Sequence, residues 1–519
     1  MATVPLSATL TLAACIAVSL LNEVSGAVLT LAMPEAARDV GASQAAAQFV
    51  LLAGKLSLGA LMLAGGGAGD RFGRKRTMLV GIALVALAAI LSAAAQSTGM
   101  LAGARILDGI GNALVGPLAL ALALAAFPET MRARVIGLFL GISGLGVAIG
   151  PLIAGTLVEL GGWRAGFAAP FTLALAGGAA IFVLSKPEHS QPRRPPWDPV
   201  GMLTCILGLV AVVLGFILAG RHGWVAADTL GVLGAGLVCL GLFAWWETSR
   251  APVPMMDPAL LRSREVLCAL AAALLAAMVL NGTVLPLLYF LQRIHGYGKV
   301  ASVVRLLPLI VAAMTVAPLA GKLADSHGRR LVMLGGLVAM AAGSGVMTTL
   351  ASDTPYGVIA LALALIGAGV MAVITPAADL VMATSGSERS GSAAALNGAV
   401  MQVGGAIGIG VITSIFLTEA LGRFAAIMAA RGYTREEIIE PVRKMREIAR
   451  QTALDRMPPL PDIPPQMQHD ILDAYAQAFA AGVARSFLVA AILAVVAMLV
   501  LMVGMRRPPS QEPAAAIRP

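Results

Sequence analysis

The run Gly66-Gly67-Ala68-Gly69-Asp70-Arg71-Phe72-Gly73-Arg74-Lys75-Arg76 joins two long apolar stretches through a glycine-rich, strongly basic turn. A weaker copy, Gly321-Lys322-Leu323-Ala324-Asp325-Ser326-His327-Gly328-Arg329-Arg330, lies far downstream, again between apolar stretches. Gly66 and Gly321, Asp70 and Asp325, Gly73 and Gly328, and Arg74 and Arg329 are each 255 residues apart. One turn repeated at a single offset implies two related halves. Each copy reads as a short loop at a membrane face.

The composition around these turns agrees. Of 519 residues, 58% are hydrophobic and only 12% charged, with a mean hydropathy of +0.87. A water-facing domain carries about 25% charged residues, so the chain reads as an all-α polytopic membrane protein. The 58 glycines suit helices that pack on small residues. A net charge of +9 would point to nucleic acid in a soluble protein. Here the basic residues sit in short loops and orient the chain in the bilayer, so no nucleic-acid partner is expected. Cys15, Cys205, Cys239 and Cys268 lie inside apolar runs without metal-like spacing, which predicts unpaired packing residues and no metal site. His189, His222, His295, His327 and His469 all fall in loops, which excludes a histidine proton relay within the membrane.

Apolar stretches of the ~17–25 residues that cross a bilayer fall near 8–33, 45–65, 77–96, 101–127, 135–158, 166–185, 200–220, 227–246, 266–291, 301–320, 331–350, 355–382, 392–418 and 483–505. These fourteen spans divide into a six-helix bundle over 1–185, a linker with two further helices over 186–264, and a second six-helix bundle over 265–505. A cytoplasmic tail follows at 506–519. Two linking helices keep both basic turns on one side of the membrane; a single one would set them on opposite sides. Placing the N-terminus in the cytoplasm puts 19 of the 36 Lys and Arg in cytoplasmic loops and tail, against five in short outer loops. The positive-inside rule favours that orientation, with both termini in the cytoplasm. Leu12-Ala13-Ala14-Cys15 imitates a lipoprotein cleavage site, but no Lys or Arg precedes Arg38. The N-terminus therefore reads as an uncleaved first span.

Between the last two spans, residues 419–482 form a long outer segment. Thr434-Arg435-Glu436-Glu437 predicts a capping box that opens an amphipathic helix. Pro458-Pro459-Leu460-Pro461 and Ile463-Pro464-Pro465 then form a stiff spacer. Two readings stay open, a solvated helical hairpin and a docking platform for a periplasmic or extracellular accessory protein.

Ionisable side chains deep in a span are costly and are candidate functional groups by default. Glu23 and Lys55 both project roughly 16 Å below the outer surface at 1.5 Å per residue, and Arg105 and Asp108 reach a comparable or slightly shallower depth. They are expected to form one electrically neutral cluster between the first, second and fourth spans. Such a cluster is either a fixed ion network or a site where a carboxylate changes protonation during a cycle. Burial favours the neutral acid and a nearby cation favours the carboxylate, so altered water access can tip the balance. In the second half Asn281, Tyr289, Asp379 and Gln402 are candidate cavity residues, although Asp379, like Arg305, lies near a span end. Gly146, Gly150 and Ala154, extended by Gly137 and Gly141, make a small-residue stripe where backbones can touch, and Pro151 can relax the helix there.

With these residues assembled, the chain resembles the major facilitator superfamily, in its fourteen-helix drug:proton antiporter branch of multidrug and quaternary-ammonium efflux type. The basic turn resembles motif A at Gly66, Asp70, Arg71, Gly73, Arg74 and Lys75, repeated at Gly321, Asp325, Gly328 and Arg329. Arg105-Ile106-Leu107-Asp108-Gly109-Ile110-Gly111 resembles motif B. Gly141, Gly146 and Gly150-Pro151-Leu152-Ile153-Ala154-Gly155 resemble motif C, the mark of the exporters. Gly162-Trp163-Arg164 and Leu288-Tyr289-Phe290-Leu291-Gln292 also recur in this branch.

The resemblance implies two bundles that rock around a midplane site and export small amphipathic compounds in exchange for protons. It implies no cofactor beyond the proton gradient, and a location in the inner membrane. It further implies that Asp70 and its arginines make charge contacts between the halves that break during alternation, and that motif C seals one side. No Walker-type loop appears in the sequence, so ATP is not expected as the energy source. The chain departs from the branch at two positions. Ser25 stands nine residues before Ala32-Met33-Pro34, where the branch usually carries aspartate, and Asp108 stands where motif B usually has glutamine. The acid is thus expected to have moved from the first helix to the fourth. Dedicated export of one endogenous metabolite, and a non-transporting sensor or scaffold of the same fold, remain as alternatives.

Overall fold

The computed structural model describes residues 6–42, 44–143, 146–185, 198–222, 225–251, 260, 262–351, 353–385, 390–449 and 462–505. Among them the chain is helical, because a backbone in hydrocarbon must satisfy its own hydrogen bonds. The helices run α1 (Leu6–Asp39), α2 (Gln44–Phe72), α3 (Arg74–Ala93), α4 (Thr98–Ala125), α5 (Arg132–Ser143), α6 (Gly146–Gly166) and α7 (Ala168–Leu184). A pair follows, α8 (Pro199–His222) and α9 (Ala227–Ser249). The rest are α10 (Arg264–Arg293), α11 (Lys299–Val304), α12 (Leu307–His327), α13 (Arg329–Met347), α14 (Tyr356–Ser385), α15 (Ser390–Ala430), α16 (Arg435–Ala449) and α17 (Pro465–Gly504).

Among the described residues, ten helices are each long and apolar enough to cross a membrane, and α6 with α7 form a pair bent by 82°. Every one of the fourteen apolar stretches falls on a helix or a consecutive helix pair, so the fourteen-span count fits. The linker 186–197 and the tail 506–519 lie outside the described residues.

Helix packing follows the sequence repeat. In the first half α2 and α3 both pack on α4, and α1 packs on α6; in the second, α12 and α13 both pack on α14, and α10 packs on α15. The halves meet through α2 on α15 and α5 on α12, two contacts that the repeat relates to each other. The α8–α9 pair lies beside this seam, with α8 touching both α2 and α15. Asp198 caps it, accepting from the Gly201 N–H and from Trp246 Nε1, each at 2.9 Å.

Both basic turns hinge on glycine in the left-handed region, Gly73 at φ 94° and Gly328 at φ 86°. L side chains rarely adopt that conformation. The paired positions therefore have one physical cause.

Spanning ~30 Å of hydrocarbon takes about 20 helical residues, yet α15 has 41 and α17 has 40. Both continue beyond the span and, with α16, enclose a small core of Met428, Met445, Ile463, Ile471 and Ala474. Arg431 clamps the two stems by pairing with Asp470 (3.1 Å) and with Asp473. The expected cap is present, with Glu437 accepting from the Thr434 N–H at 2.8 Å and its hydroxyl at 2.9 Å. Those two bonds hold the Glu437 carboxyl below its ordinary range, the backbone one contributing most. Residues 450–461, which include the first proline run, lie outside the described residues.

Candidate functional site

A cavity of about 450 Å³ opens between the halves. Its first-half wall is polar, built by Asn22 and Glu23 of α1, Lys55 of α2, and Arg105 and Asp108 of α4. The facing wall is apolar, formed by residues such as Leu280, Leu288, Leu309 and Met371, and is interrupted by Asn281 and Gln402.

At the polar wall Arg105 and Asp108 pair directly, Nη2 to Oδ2 at 2.9 Å, as an i, i+3 spacing on one helix allows. Ser25 of α1 completes the pair. Its Oγ donates to Asp108 Oδ1 at 2.8 Å and accepts from Arg105 Nη1 at 2.9 Å. All three are buried, at 1% exposure for Ser25, 5% for Arg105 and 4% for Asp108. The α2 and α4 backbones approach closely here, since a Cβ on Gly109 would fall 2.2 Å from the Gly54 carbonyl. The guanidinium is thereby confined between helices.

The single four-charge cluster expected from the sequence is not what forms. Glu23 accepts a hydrogen bond from Asn22 Nδ2 at 2.8 Å, and neither Glu23 nor Lys55 joins an ion pair among the described residues. At 100° per residue, positions 23 and 25 are roughly 200° apart on α1. The helix therefore offers Ser25 to α4 and Glu23 to α6. One tight pair and two separate charges share the wall.

The motif C stripe also divides. Gly137 and Gly141 face the other half, where added Cβ atoms would meet the Ala317 carbonyl at 2.5 Å and Ala317 Cβ at 3.2 Å. Gly146 and Gly150 instead face α1, with Glu23 Cβ at 2.8 Å and the Glu23 carbonyl at 3.1 Å. Gly155 has only an ordinary contact with Leu31, at 3.8 Å. Pro151 lies within α6.

In the second half Asn281 and Gln402 line the cavity, but Tyr289 and Asp379 do not. On α10 the cavity face runs through 281, 284, 285 and 288, which leaves Tyr289 turned aside and 42% exposed. Asp379 sits eight residues beyond Met371, roughly 12 Å along α14. There it is buried and bound by Arg329 Nη2 at 2.7 Å.

The basic turns lie at the end where the halves touch. Met62 of α2 reaches the space that a Cβ on Gly398 of α15 would need, at 2.2 Å. Arg132 Nη1 donates to the Met382 carbonyl across the seam at 3.5 Å. Asp70 pairs with Arg74 at 3.3 Å within its own turn. Lys75 Nζ donates to the carbonyls of Phe182 (2.8 Å) and Ser185 (2.6 Å) at the end of α7. Gly66 and Gly321 sit in the last turns of α2 and α12, and Asp325 is exposed. The cation of Arg71 lies over Phe72, 5.3 Å from the ring centre.

At the opposite end of the first half, Arg164 pairs with Asp39 and donates to the Ala95 carbonyl at 3.0 Å, while Trp163 Nε1 donates to Asp39 at 3.1 Å. Arg164, then Trp163, hold the Asp39 carboxyl below its ordinary range.

Sequence reasoning singled out Ser25 only as a departure from the branch. Its signal was the spacing to Ala32-Met33-Pro34, which places it level with the buried charges. The Arg329–Asp379 pairing had no comparable signal.

The model of the Major Facilitator Superfamily matches residues 15–409 of this chain. The chain belongs to that superfamily. It is a multi-pass membrane transporter and not an enzyme. The tetracenomycin C resistance and export protein of Streptomyces glaucescens is 28% identical over 485 residues, covering 93% of this chain and 89% of that one. The puromycin resistance protein pur8 of Streptomyces alboniger is 33% identical over 422 residues, covering 80% and 82%. The multidrug efflux pump LfrA of Mycolicibacterium smegmatis is 27% identical over 491 residues, covering 94% of each. Among solved structures, the proton:xylose symporter XylE superposes with a TM-score of 0.55 at 15% identity, covering 95% of this chain and 94% of that one. That likeness is one of fold.

Proposed function

We propose that this transporter exports small amphipathic, drug-like compounds across the cytoplasmic membrane in exchange for protons, and that Asp108 carries the exchanged proton. The names of the relatives support drug export, and the excess of Lys and Arg in short loops supports cytoplasmic termini. The observation that carries the proton assignment is a buried carboxylate held by Arg105 and Ser25 at the edge of a cavity between the halves.

The contacts gathered at the basic-turn end correspond to a form closed toward the cytoplasm. Rocking the halves to open that end changes the packing around α4. Separating Arg105 from Asp108 would leave an uncompensated buried charge, which is strongly unfavourable. A proton on Asp108 relieves it, and substrate binding and protonation become alternative ways to stabilise the same wall. One charge crossing 100 mV supplies about 2.3 kcal/mol, so one or two protons drive useful gradients.

Proton-linked flux in vesicles tests this, first with lipophilic cations and then with neutral compounds. Asp108→Asn is expected to abolish gradient-driven flux while retaining substrate binding and exchange at equilibrium. Wild-type gradient-driven flux in Asp108→Asn removes Asp108 from the role. If Glu23→Gln alone loses the pH dependence, the proton site is Glu23. A multidrug susceptibility panel on a deletion strain separates broad export from export of one metabolite. The hairpin of α15, α16 and α17 is proposed as the docking element for an outer accessory protein, and full flux after its deletion would count against that.

A further inference from the structure

We infer that the cavity selects neutral or zwitterionic amphiphiles over lipophilic cations, with Glu23 and Lys55 as the two groups that read the polar end of the substrate. The inference rests on the cavity being the transport site proposed above, and it concerns only what that site accepts.

Charge balance is the first ground. Among the described residues, the charged side chains on the cavity lining are Glu23, Lys55, Arg105 and Asp108, two of each sign, and the second-half wall adds none. Arg105 and Asp108 satisfy each other at 2.9 Å and share Ser25. That leaves one anion and one cation facing the open space. A monovalent cation entering such a site gains from Glu23 and loses to Lys55. It also gives up its hydration against an apolar wall, and a desolvated charge without a net counter-charge is costly.

The second ground is the placement of the two free charges. Glu23 is braced from behind, its Cβ against Gly146 and its carboxylate bound by Asn22. Lys55 is exposed on α2 and makes no ion pair among the described residues. They project from different helices into one space. A polar end with a donor or ammonium and an acceptor or carboxylate answers both at once. Leu280, Leu288, Leu309 and Met371 then take the apolar body.

The test is equilibrium binding to the purified full-length protein in lipid nanodiscs at pH 7.5. The probes are tetraphenylphosphonium, a permanent cation, and norfloxacin, a zwitterion near neutral pH. Wild-type protein is expected to bind norfloxacin more tightly. Lys55→Gln leaves a net anionic wall and is expected to tighten tetraphenylphosphonium about tenfold and weaken norfloxacin about tenfold; tenfold corresponds to about 1.4 kcal/mol. Glu23→Gln is expected to weaken norfloxacin without any gain for the cation. The double inversion Glu23→Lys with Lys55→Glu keeps the wall neutral and should hold the probe ratio within about threefold of wild type, where a merely structural role would compound the losses.

Tighter cation binding by the wild type, a ratio unmoved by Lys55→Gln, or no binding of either probe overturns the inference. Because binding needs no gradient, it is read separately from proton coupling. Driven flux at the wild-type level in Asp108→Asn removes only the proton assignment, while the probe ratios of the Glu23 and Lys55 variants decide the selectivity.

Discussion

The two basic turns share a backbone but spend their charges differently. Both break at glycine with positive φ, Gly73 at 94° and Gly328 at 86°. Both use the second basic residue after that glycine to hold the end of the last helix in their own half. Lys75 reaches the carbonyls of Phe182 and Ser185, and Arg330, its counterpart 255 positions on, reaches that of Met502. The first basic residue is where they part. Arg74 pairs within the turn to Asp70, while Arg329 crosses to Asp379 of α14 and leaves Asp325 exposed. A turn is set by its local sequence, but a charge takes whichever partner the neighbouring helix presents.

The difference is open to measurement. Asp379→Ala strands Arg329 beside a buried site and should cost about 1.5–3 kcal/mol, toward the lower end because Arg329 is over a third exposed. Asp70→Ala should cost more, because Arg74 is only 13% exposed and is left in a less solvated place. Thermal unfolding of the two variants side by side reads this, and equal losses would mean that the two pairs are equivalent after all.

The next effect concerns helix spacing. A Cβ on Gly69 would fall 2.0 Å from Leu118 Cδ2, whereas its counterpart Ala324 already carries one. Gly69→Ala should therefore cost about 1–3 kcal/mol from overpacking. A neutral result would show that α2 lies no closer to α4 than α12 does to α14.

Valine at Gly73 or Gly328 forces an L side chain into the left-handed region, at about 1–2 kcal/mol each. Here the two halves should respond alike, and a one-sided loss of folded yield would break the shared-hinge account.

The smallest effect is at the helix ends. Lys75→Met and Arg330→Met each remove a cation from helix-terminal carbonyls, worth about 0.3–1 kcal/mol. Hydrogen exchange should rise at residues 182–185 in the first variant and less at 502–503 in the second, because Arg264 also donates to the Val503 carbonyl at 3.0 Å. Equal exchange at both ends would remove that asymmetry.

The spans and the repeat were legible because both depend on distance along one chain. Twenty apolar residues cross a bilayer whatever surrounds them, and a glycine-hinged turn declares itself locally. The capping box at Thr434 and Glu437 was readable for the same reason.

Partnership was not. Ser25 joins Arg105 and Asp108 while Glu23, two residues away, stands apart; Gly137 meets the other half while Gly146 meets α1; Asp379 leaves the cavity for Arg329. Each outcome depends on which helix stands across from a given face and at what angle. Periodicity tells which residues share a face, and only the packed bundle sets what that face meets.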